Sequence, residues 1–223
     1  MDFDALIDRA RGLAASGSRA VLGIAGSPGA GKTTLATALI EALATDPPAG
    51  ADSGDWVAHV PMDGFHLADV ELNRLGRLSR KGAPDTFDAA GYAALLKRLR
   101  GDPAQVVYAP AFERVIEQPI AGSIPVGPEV RLVITEGNYL LLEEGDWGRV
   151  RPELDEVWFC DLGEAERRRR LVHRHTSYGK SHQHAVEWVH DVDERNAELI
   201  ETTRGAADLI LSSSALRSIG ASA

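Results

Sequence analysis

Short, mostly apolar runs of six or seven residues alternate along this chain with longer segments of helical periodicity. Such runs predict strands buried in a sheet, and their alternation with helices is typical of βα units with parallel strands. The predicted strands are AVLGIA (20–25), WVAHVPM (56–62), VRLVITE (130–136), EVWFCDL (156–162) and ADLILS (207–212). The pattern therefore predicts an α/β protein with a five-stranded parallel sheet.

Helical periodicity follows the first run directly. Leu35, Leu39 and Leu43 recur every four residues, so they share one apolar face of a predicted helix. Two later segments, 163–176 and 182–204, are also predicted to be helical.

The connection between the second and third predicted strands, residues 63–129, is unusually long. Strand and helix are usually joined by only a few residues. This connection contains a predicted helix at about 88–100, a short apolar stretch at 105–112 and several Gly and Pro turns. We therefore expect a structured, substrate-binding insert here, whereas 45–55 is expected to be a turn-rich surface connection.

The composition is that of an ordinary globular protein. The chain has 223 residues, of which 44% are apolar and 26% charged, which suits one domain with its own core. The formal net charge is −9, and no long basic run occurs outside 167–174. Because affinity for duplex DNA comes from basic side chains that neutralise phosphates, no nucleic-acid partner is expected.

The N-terminal segment and the cysteine usage indicate a cytoplasmic protein. MDFDALIDRA is acidic and lacks the basic and apolar regions of a secretory signal. No apolar stretch approaches the roughly 18 residues that a membrane span needs, so no membrane partner is expected. The single cysteine, Cys160, lies in an apolar run and is expected to be a buried, inert thiol.

Residues 26–33, GSPGAGKT, match the phosphate-binding pattern G-x-x-x-x-G-K-[ST], known as the P-loop. Glycines permit positive φ and bring bare amides close to an anion, supported by the dipole of the following helix. Lys32 is expected to reach the β- and γ-phosphates, and the Thr33 hydroxyl to bind Mg²⁺. The predicted nucleotide-binding residues are Gly26, Ser27, Gly29, Ala30, Gly31, Lys32, Thr33 and Thr34. The alternative is a Gly-rich turn that only caps a helix.

Five further segments, in order, carry a family resemblance. They are MDGFH (62–66), RKGAPDTFD (80–88), VYAPAFERVIEQPI (107–120), ITEGNYLLLEE (134–144) and RRRRLVHRHTSYGKS (167–181). The chain resembles the uridine kinase, pantothenate kinase and phosphoribulokinase group of P-loop kinases, and within it the bacterial uridine-kinase-like proteins. The resemblance spans about residues 18–212. It implies one kinase domain over 1–223, a three-layer P-loop NTPase fold with an acceptor-binding insert between strands 2 and 3.

Two carboxylates at predicted strand ends are candidates for the chemistry. Asp63 follows the second strand, and position and resemblance together favour it as the base that accepts the proton of an attacking hydroxyl. Gly64 is expected to leave room there for a substrate. Glu136 ends the third strand, and resemblance favours it for Mg²⁺, directly or through water. The alternatives are a turn or N-cap aspartate and an N-cap or loop glutamate.

The basic segment ERRRRLVHR (166–174) precedes a glycine-containing loop, TSYGKS. Arg170 and Arg174 are four residues apart and share a helix face. The resemblance implies a lid over about 167–182, whose arginines close over the phosphates and stabilise charge during transfer. Asp63, Lys32, Arg170 and Arg174 are thus the candidate catalytic residues, while the arginines at 167–169 are expected to be solvated.

The resemblance assigns the acceptor pocket to the insert and to the segment after the third strand. Its candidate residues are Phe65, His66, Arg80, Lys81, Tyr108, Arg114, Asn138 and Tyr139. The family pattern has Asp before this arginine, whereas this chain has Glu113, preceded by Phe112. The extra methylene is expected to reshape the pocket.

Five of the seven histidines cluster in the chain, at positions 173, 175, 182, 184 and 190. Residues two apart on a helix point about 200° apart, so neither H-R-H nor H-Q-H forms a chelate. They are interpreted as surface or lid histidines rather than as a metal site.

The leading hypothesis is an ATP- and Mg²⁺-dependent kinase that acts on a hydroxyl of a small molecule. Nucleoside, pantothenate-like compound and sugar all remain open as acceptors. The rival hypothesis is a nucleotide-dependent switch or regulatory ATPase, although neither an N-K-x-D guanine-reading motif nor an ABC-type signature is evident. The sequence does not determine the oligomeric state, and a homodimer is compatible with it.

Overall fold

A parallel sheet forms the centre of the computed structural model, which describes residues 2–48, 55–101 and 104–220. Most of the connection expected at 45–55 lies outside these ranges. The strands are β1 (Ala20–Ala25), β2 (Val57–His59), β3 (Val107–Glu113), β4 (Gln118–Val126), β5 (Leu132–Glu136), β6 (Glu156–Asp161) and β7 (Leu209–Ser212). Within the described ranges, five of them pair in the order β2-β5-β1-β6-β7, all parallel. The predicted five-stranded parallel sheet is confirmed.

The helices cover both faces of the sheet. They are α1 (Phe3–Leu13), α2 (Lys32–Ala44), α3 (Asp69–Arg74), α4 (Ala89–Gly101), α5 (Glu164–Ser177), α6 (His182–Trp188), α7 (Glu194–Thr202) and α8 (Ser213–Gly220). A π-helical turn, Val189–Asp193, joins α6 to α7. The predicted helices at 163–176 and 182–204 are therefore present, the second with a π turn inside it.

Alternating residues of β1 divide the core into two layers. Leu22 and Ile24 pack with the buried residues of α1, α2 and α8 on one face of the sheet. Val21 and Ala25 pack with those of α4 and with Ile200 of α7 on the other face. Leu35, Leu39 and Leu43 are all fully buried, as their spacing predicts, and each such leucine contributes about 1.5–3 kcal/mol. The three-layer architecture follows from this division.

The long connection between β2 and β5 is structured. It contains α3, α4 and the antiparallel hairpin of β3 and β4, and the apolar stretch at 105–112 contributes most of β3. The hairpin packs against the turn after β2 so closely that a Cβ on Gly64 would collide with the Pro110 carbonyl. The space beside Gly64 is thus filled by backbone, and the expectation that it leaves room for a substrate is wrong.

Cys160 lies in β6 and is buried, as expected. Burial raises the pKa of its thiol to about 12, so the thiol stays protonated at neutral pH. Among the described helices, none is both long and apolar enough to cross a membrane.

Candidate active site

A cavity of about 930 Å³ opens at the carboxyl edge of the sheet. Parallel strands end at one edge, so the segments after β1, β2 and β5 meet there. The insert and the helical segment α5–α6 complete the wall. The cavity therefore joins the P-loop to the segments from which an acceptor pocket was predicted.

The P-loop glycines adopt the backbone that the sequence predicts. Gly26, Gly29 and Gly31 have φ values of 141°, 78° and 94°, a region that residues with a Cβ rarely adopt. A Cβ on Gly29 would also lie 2.9 Å from the Arg167 carbonyl oxygen. Gly31 is the N-cap of α2, so the free amides of the first helical turn point at the cavity edge. This is the geometry of an anion site.

Lys32 is held over this loop by three oxygen atoms. Its Nζ donates to the carbonyls of Gly26 at 2.9 Å and Ser27 at 3.1 Å, and to Oδ1 of Asn138 at 2.7 Å. Burial lowers the pKa of Lys32, and the nearby charge of Glu136 opposes this shift. Asn138, predicted to bind the acceptor, therefore contacts the P-loop lysine while it lines the cavity.

Thr33 and Glu136 meet beside the lysine. The Thr33 hydroxyl donates to Oε1 of Glu136 at 3.0 Å. Burial raises the pKa of Glu136, and the negative charge of Asp63 raises it further. Oxygen ligands next to two mutually repelling carboxylates suit a hard divalent cation, because such a cation relieves the repulsion. The donor set thus fits Mg²⁺.

Asp63 lies in the turn Met62–Phe65 after β2 and lines the same cavity. Its Oδ2 accepts a hydrogen bond from Nη2 of Arg114 at 3.1 Å, which ties the turn to the hairpin. Its backbone carbonyl accepts from the amide of His66 at 3.2 Å. The first contact holds the carboxylate, and the second closes the turn that places it at a strand end on the same edge as Lys32.

The arginines of α5 differ in their surroundings. Arg170 and Arg174 line the cavity, and Nε of Arg170 donates to Glu166 at 2.8 Å. Arg174 forms no ion pair with a described carboxylate, and its charge lowers the pKa of Lys32. Arg169 is exposed and pairs with Glu166.

Arg167 was expected to be solvated, and this is wrong. It is buried, donating from Nη1 to the Pro28 carbonyl at 3.2 Å and to Oε1 of Glu194 at 3.3 Å. It therefore ties α5 to the P-loop and to α7. Arg168 is exposed, in line with the expectation, although it also pairs with Glu164 at 2.7 Å and with Glu194 at 3.2 Å.

Replacing Arg167 should destabilise the fold. Arg167→Ala is expected to cost about 2–4 kcal/mol of unfolding free energy, because Glu194 would stay buried with only the half-exposed Arg168 as partner. Urea unfolding measures this loss. Arg169→Ala is the matched control on the same helix and should leave the urea midpoint unchanged. Equal midpoints for the two variants would contradict the role assigned to Arg167.

The predicted acceptor residues fall into two groups. His66, Lys81, Arg114 and Asn138 line the cavity. The other four do not line it: Phe65 packs on Tyr92, Arg80 pairs with Asp85, Tyr108 is 60% exposed on the hairpin, and buried Tyr139 donates its hydroxyl to the Gly82 carbonyl.

Phe112 is a wall of the cavity. Its ring lies 4.6 Å from that of His66, and Nζ of Lys81 lies 5.4 Å from its centroid. Glu113, by contrast, is exposed and accepts a hydrogen bond from the amide of Val115 at 3.0 Å. The expected effect of the longer glutamate on the pocket is therefore not seen, and the neighbouring phenylalanine shapes the wall instead.

The helical segment α5–α6 and the start of α7 supply cavity residues that the sequence analysis missed. They are Leu171, His175, Tyr178, Lys180, His184, Trp188, Asp193 and Asn196. The isolated tryptophan in the polar segment 181–188 was the available signal. Of the two interpretations, surface or lid, His175 fits the lid, because it is largely buried, lines the cavity and has its Nε2 2.8 Å from Oδ2 of Asp193.

Comparisons with known proteins agree with this architecture. No family model matches the sequence. The "Putative uridine kinase C227.14" of Schizosaccharomyces pombe is 31% identical over 97% of this chain and 93% of its own. The crystal structure of a "putative fructose transport system kinase" from Silicibacter sp. TM1040 is 36% identical, covering 95% of this chain and 99% of that one, with a TM-score of 0.83.

A more distant solved structure shares the fold. YFH7 from Saccharomyces cerevisiae is 19% identical over 95% of this chain and 98% of its own, with a TM-score of 0.78. The P-loop geometry, the sheet order and the full-length relatives lead to one conclusion. The chain belongs to the uridine kinase-like family of P-loop kinases.

Proposed function

We propose that this protein, as one domain with an insert at about 63–129 and a lid at about 167–182, transfers the γ-phosphoryl group of ATP to a hydroxyl of a small molecule. One observation carries the proposal. Asp63, Lys32 and the Thr33–Glu136 pair line a single cavity that continues into an aromatic-walled space in the insert. A switch or regulatory ATPase does not need such a space beside its phosphate site.

Asp63 is the proposed general base. The acceptor oxygen forms a bond to the γ-phosphorus while the bond to the leaving ADP oxygen breaks, and Asp63 takes the hydroxyl proton. Arg114 keeps the carboxylate in place through its 3.1 Å contact. Lys32, Arg170 and Arg174 stabilise the negative charge on the transferring group, since all three side chains line the cavity.

Thr33 and Glu136 are the proposed residues for Mg²⁺. When bound, the ion neutralises charge on the phosphate oxygens. The role of the two residues is to hold it beside the P-loop. Burial raises the pKa of Glu136 first, and the charge of Asp63 raises it further, which is the repulsion that a cation would relieve.

Acceptor-dependent release of ADP tests the function. Uridine and fructose are the first compounds to assay, because the names of two relatives contain them, and pantothenate joins them through the family resemblance. The expected result is ADP release that rises with one of these compounds, together with its phosphorylated product. If the rate of ATP hydrolysis did not change with any of the hydroxyl compounds, the switch hypothesis would be favoured instead.

Arg174 provides a test of the lid. Arg174→Ala should lower kcat about tenfold or more and change the KM for ATP less, because its contacts should strengthen as charge develops in the transition state. Steady-state kinetics with saturating acceptor measures both constants. Arg169→Ala, in the exposed pair with Glu166, is the matched control. A raised KM for ATP with unchanged kcat would reduce Arg174 to a ground-state ligand.

A further inference from the structure

A histidine–aspartate pair lies in the wall of the cavity. His175 is on α5 and Asp193 closes the π turn before α7, with 2.8 Å between Nε2 and Oδ2. Both residues line the cavity, and their side chains are only 14% and 10% exposed. π turns inside helices are frequent at functional sites. The pair is thus rigidly held and reachable by a molecule in the cavity.

The surroundings of Asp193 place the pair on the insert side of the cavity. Asn196, three residues further along, donates to the Gly82 carbonyl at 3.3 Å, and Tyr139 donates to the same carbonyl. Burial raises the pKa of Tyr139, and the negative charge of the nearby Asp193 raises it further. Gly82 belongs to the insert and lines the cavity with the pair, so the pair lies next to the segment that is proposed to bind the acceptor.

One ring nitrogen of His175 is unused. An ionised carboxylate only accepts, so Nε2 donates its proton to Asp193. Within the described ranges, Nδ1 has no hydrogen-bond partner, although it is not sealed from solvent. Nδ1 accepts a hydrogen bond in the neutral ring and donates one in the charged ring. A hydroxyl group can serve as its partner in both cases.

We propose that His175, held by Asp193, determines acceptor specificity by hydrogen-bonding through Nδ1 to a second hydroxyl of the acceptor. This hydroxyl is distinct from the one that is phosphorylated, so the acceptor carries at least two. The inference rests on the proposed kinase function. The adjoining wall is Trp188, whose ring centroid lies 6.4 Å from that of His175 and 5.0 Å from Nζ of Lys180.

Two substitutions separate a hydroxyl contact from a merely structural role. His175→Gln places an amide near the Nε2 position, which keeps the link to Asp193 and removes Nδ1, the nitrogen proposed to contact the acceptor. His175→Asn places a polar atom near Nδ1 and loses that link. His173→Gln, the same change at an exposed histidine of the same helix, is the matched control.

The kinetic probe is whichever of uridine, pantothenate and fructose gives the highest kcat/KM with the wild type. His175→Gln should raise the KM for this acceptor about 3–10-fold, with the KM for ATP within about twofold, and His175→Asn should raise it less. Deoxy analogues of the acceptor give the second readout. With the wild type, the analogue that lacks the hydroxyl contacted by His175 should have a kcat/KM about fivefold below that of the parent acceptor. With His175→Gln, the analogue and the parent should differ little.

The inference would be overturned if His175→Gln kept the wild-type KM for the acceptor while His175→Asn raised it, since only the link to Asp193 would then matter. It would also be overturned if every deoxy analogue lowered kcat/KM by the same factor with the wild type and with His175→Gln. These results leave the kinase function standing. A wild type without acceptor-dependent turnover would remove the proposed function, and this inference with it.

Discussion

Asp63→Asn is expected to lower kcat by about 10²–10⁴, the range that general base catalysis usually contributes. The substitution keeps the size of the side chain but removes its charge and most of its basicity. Arg114 donates to Oδ2 at 3.1 Å, and the asparagine oxygen can still accept this bond, so the geometry should survive. The KM for ATP should be nearly normal. Steady-state kinetics with the identified acceptor measures both constants.

Asp8→Asn, at an exposed position of α1 outside the cavity, is the matched control and should match the wild type. Turnover by Asp63→Asn within about threefold of wild type would exclude Asp63 as the base, because the expected range begins near a hundredfold. A collapse of ATP binding would instead place Asp63 in the metal site. Glu136 would then be the next candidate for the proton, since it lies at the neighbouring strand end and its pKa is raised.

Lys32→Ala should lower kcat by about 10²–10³ and leave the fold intact. The Lys32 ammonium group donates to two P-loop carbonyls and to Asn138, so the protein itself positions it at the P-loop. Removing it takes away a charge that is proposed to act directly on the transferring group. Kinetics and the circular dichroism spectrum of the variant together measure activity and fold.

Lys97→Ala removes an exposed lysine of α4 that does not line the cavity and serves as the control. Near-wild-type turnover by Lys32→Ala would overturn the assignment of residues 26–33 as a catalytic P-loop. Loss of the folded spectrum would show that Lys32 supports the loop itself. Lys32→Met, which keeps most of the side-chain length, would then separate the two contributions.

The strands, the helix after β1 and the P-loop backbone were predictable because their determinants are local. Leu35, Leu39 and Leu43 repeat with the period of a helix, and all three are buried. Gly26 and Gly31 have the positive φ that the motif implies. The strand order was not predicted, because hydrogen-bond partners in a parallel sheet are chosen between segments that lie far apart in the chain.

The candidate site was predictable only in part, and the four arginines at 167–170 show why. Their side chains are chemically identical, so the sequence alone did not show which one is buried. Packing of α5 against the P-loop places Arg167 between Pro28 and Glu194, while Arg169 stays exposed. Tyr139 is a second example, because it was predicted to line the acceptor pocket and is instead buried in the core by packing.

The sequence by itself determined the α/β sheet, the phosphate-binding loop and the carboxylates at two strand ends, because each depends on neighbouring residues and on the shared polarity of parallel strands. Only the tertiary structure decided which side chains of the insert and of the segment α5–α6 reach the cavity. His175 and Asp193 are 18 residues apart, and their contact exists because the π turn and the packing of α7 against α5 bring them together.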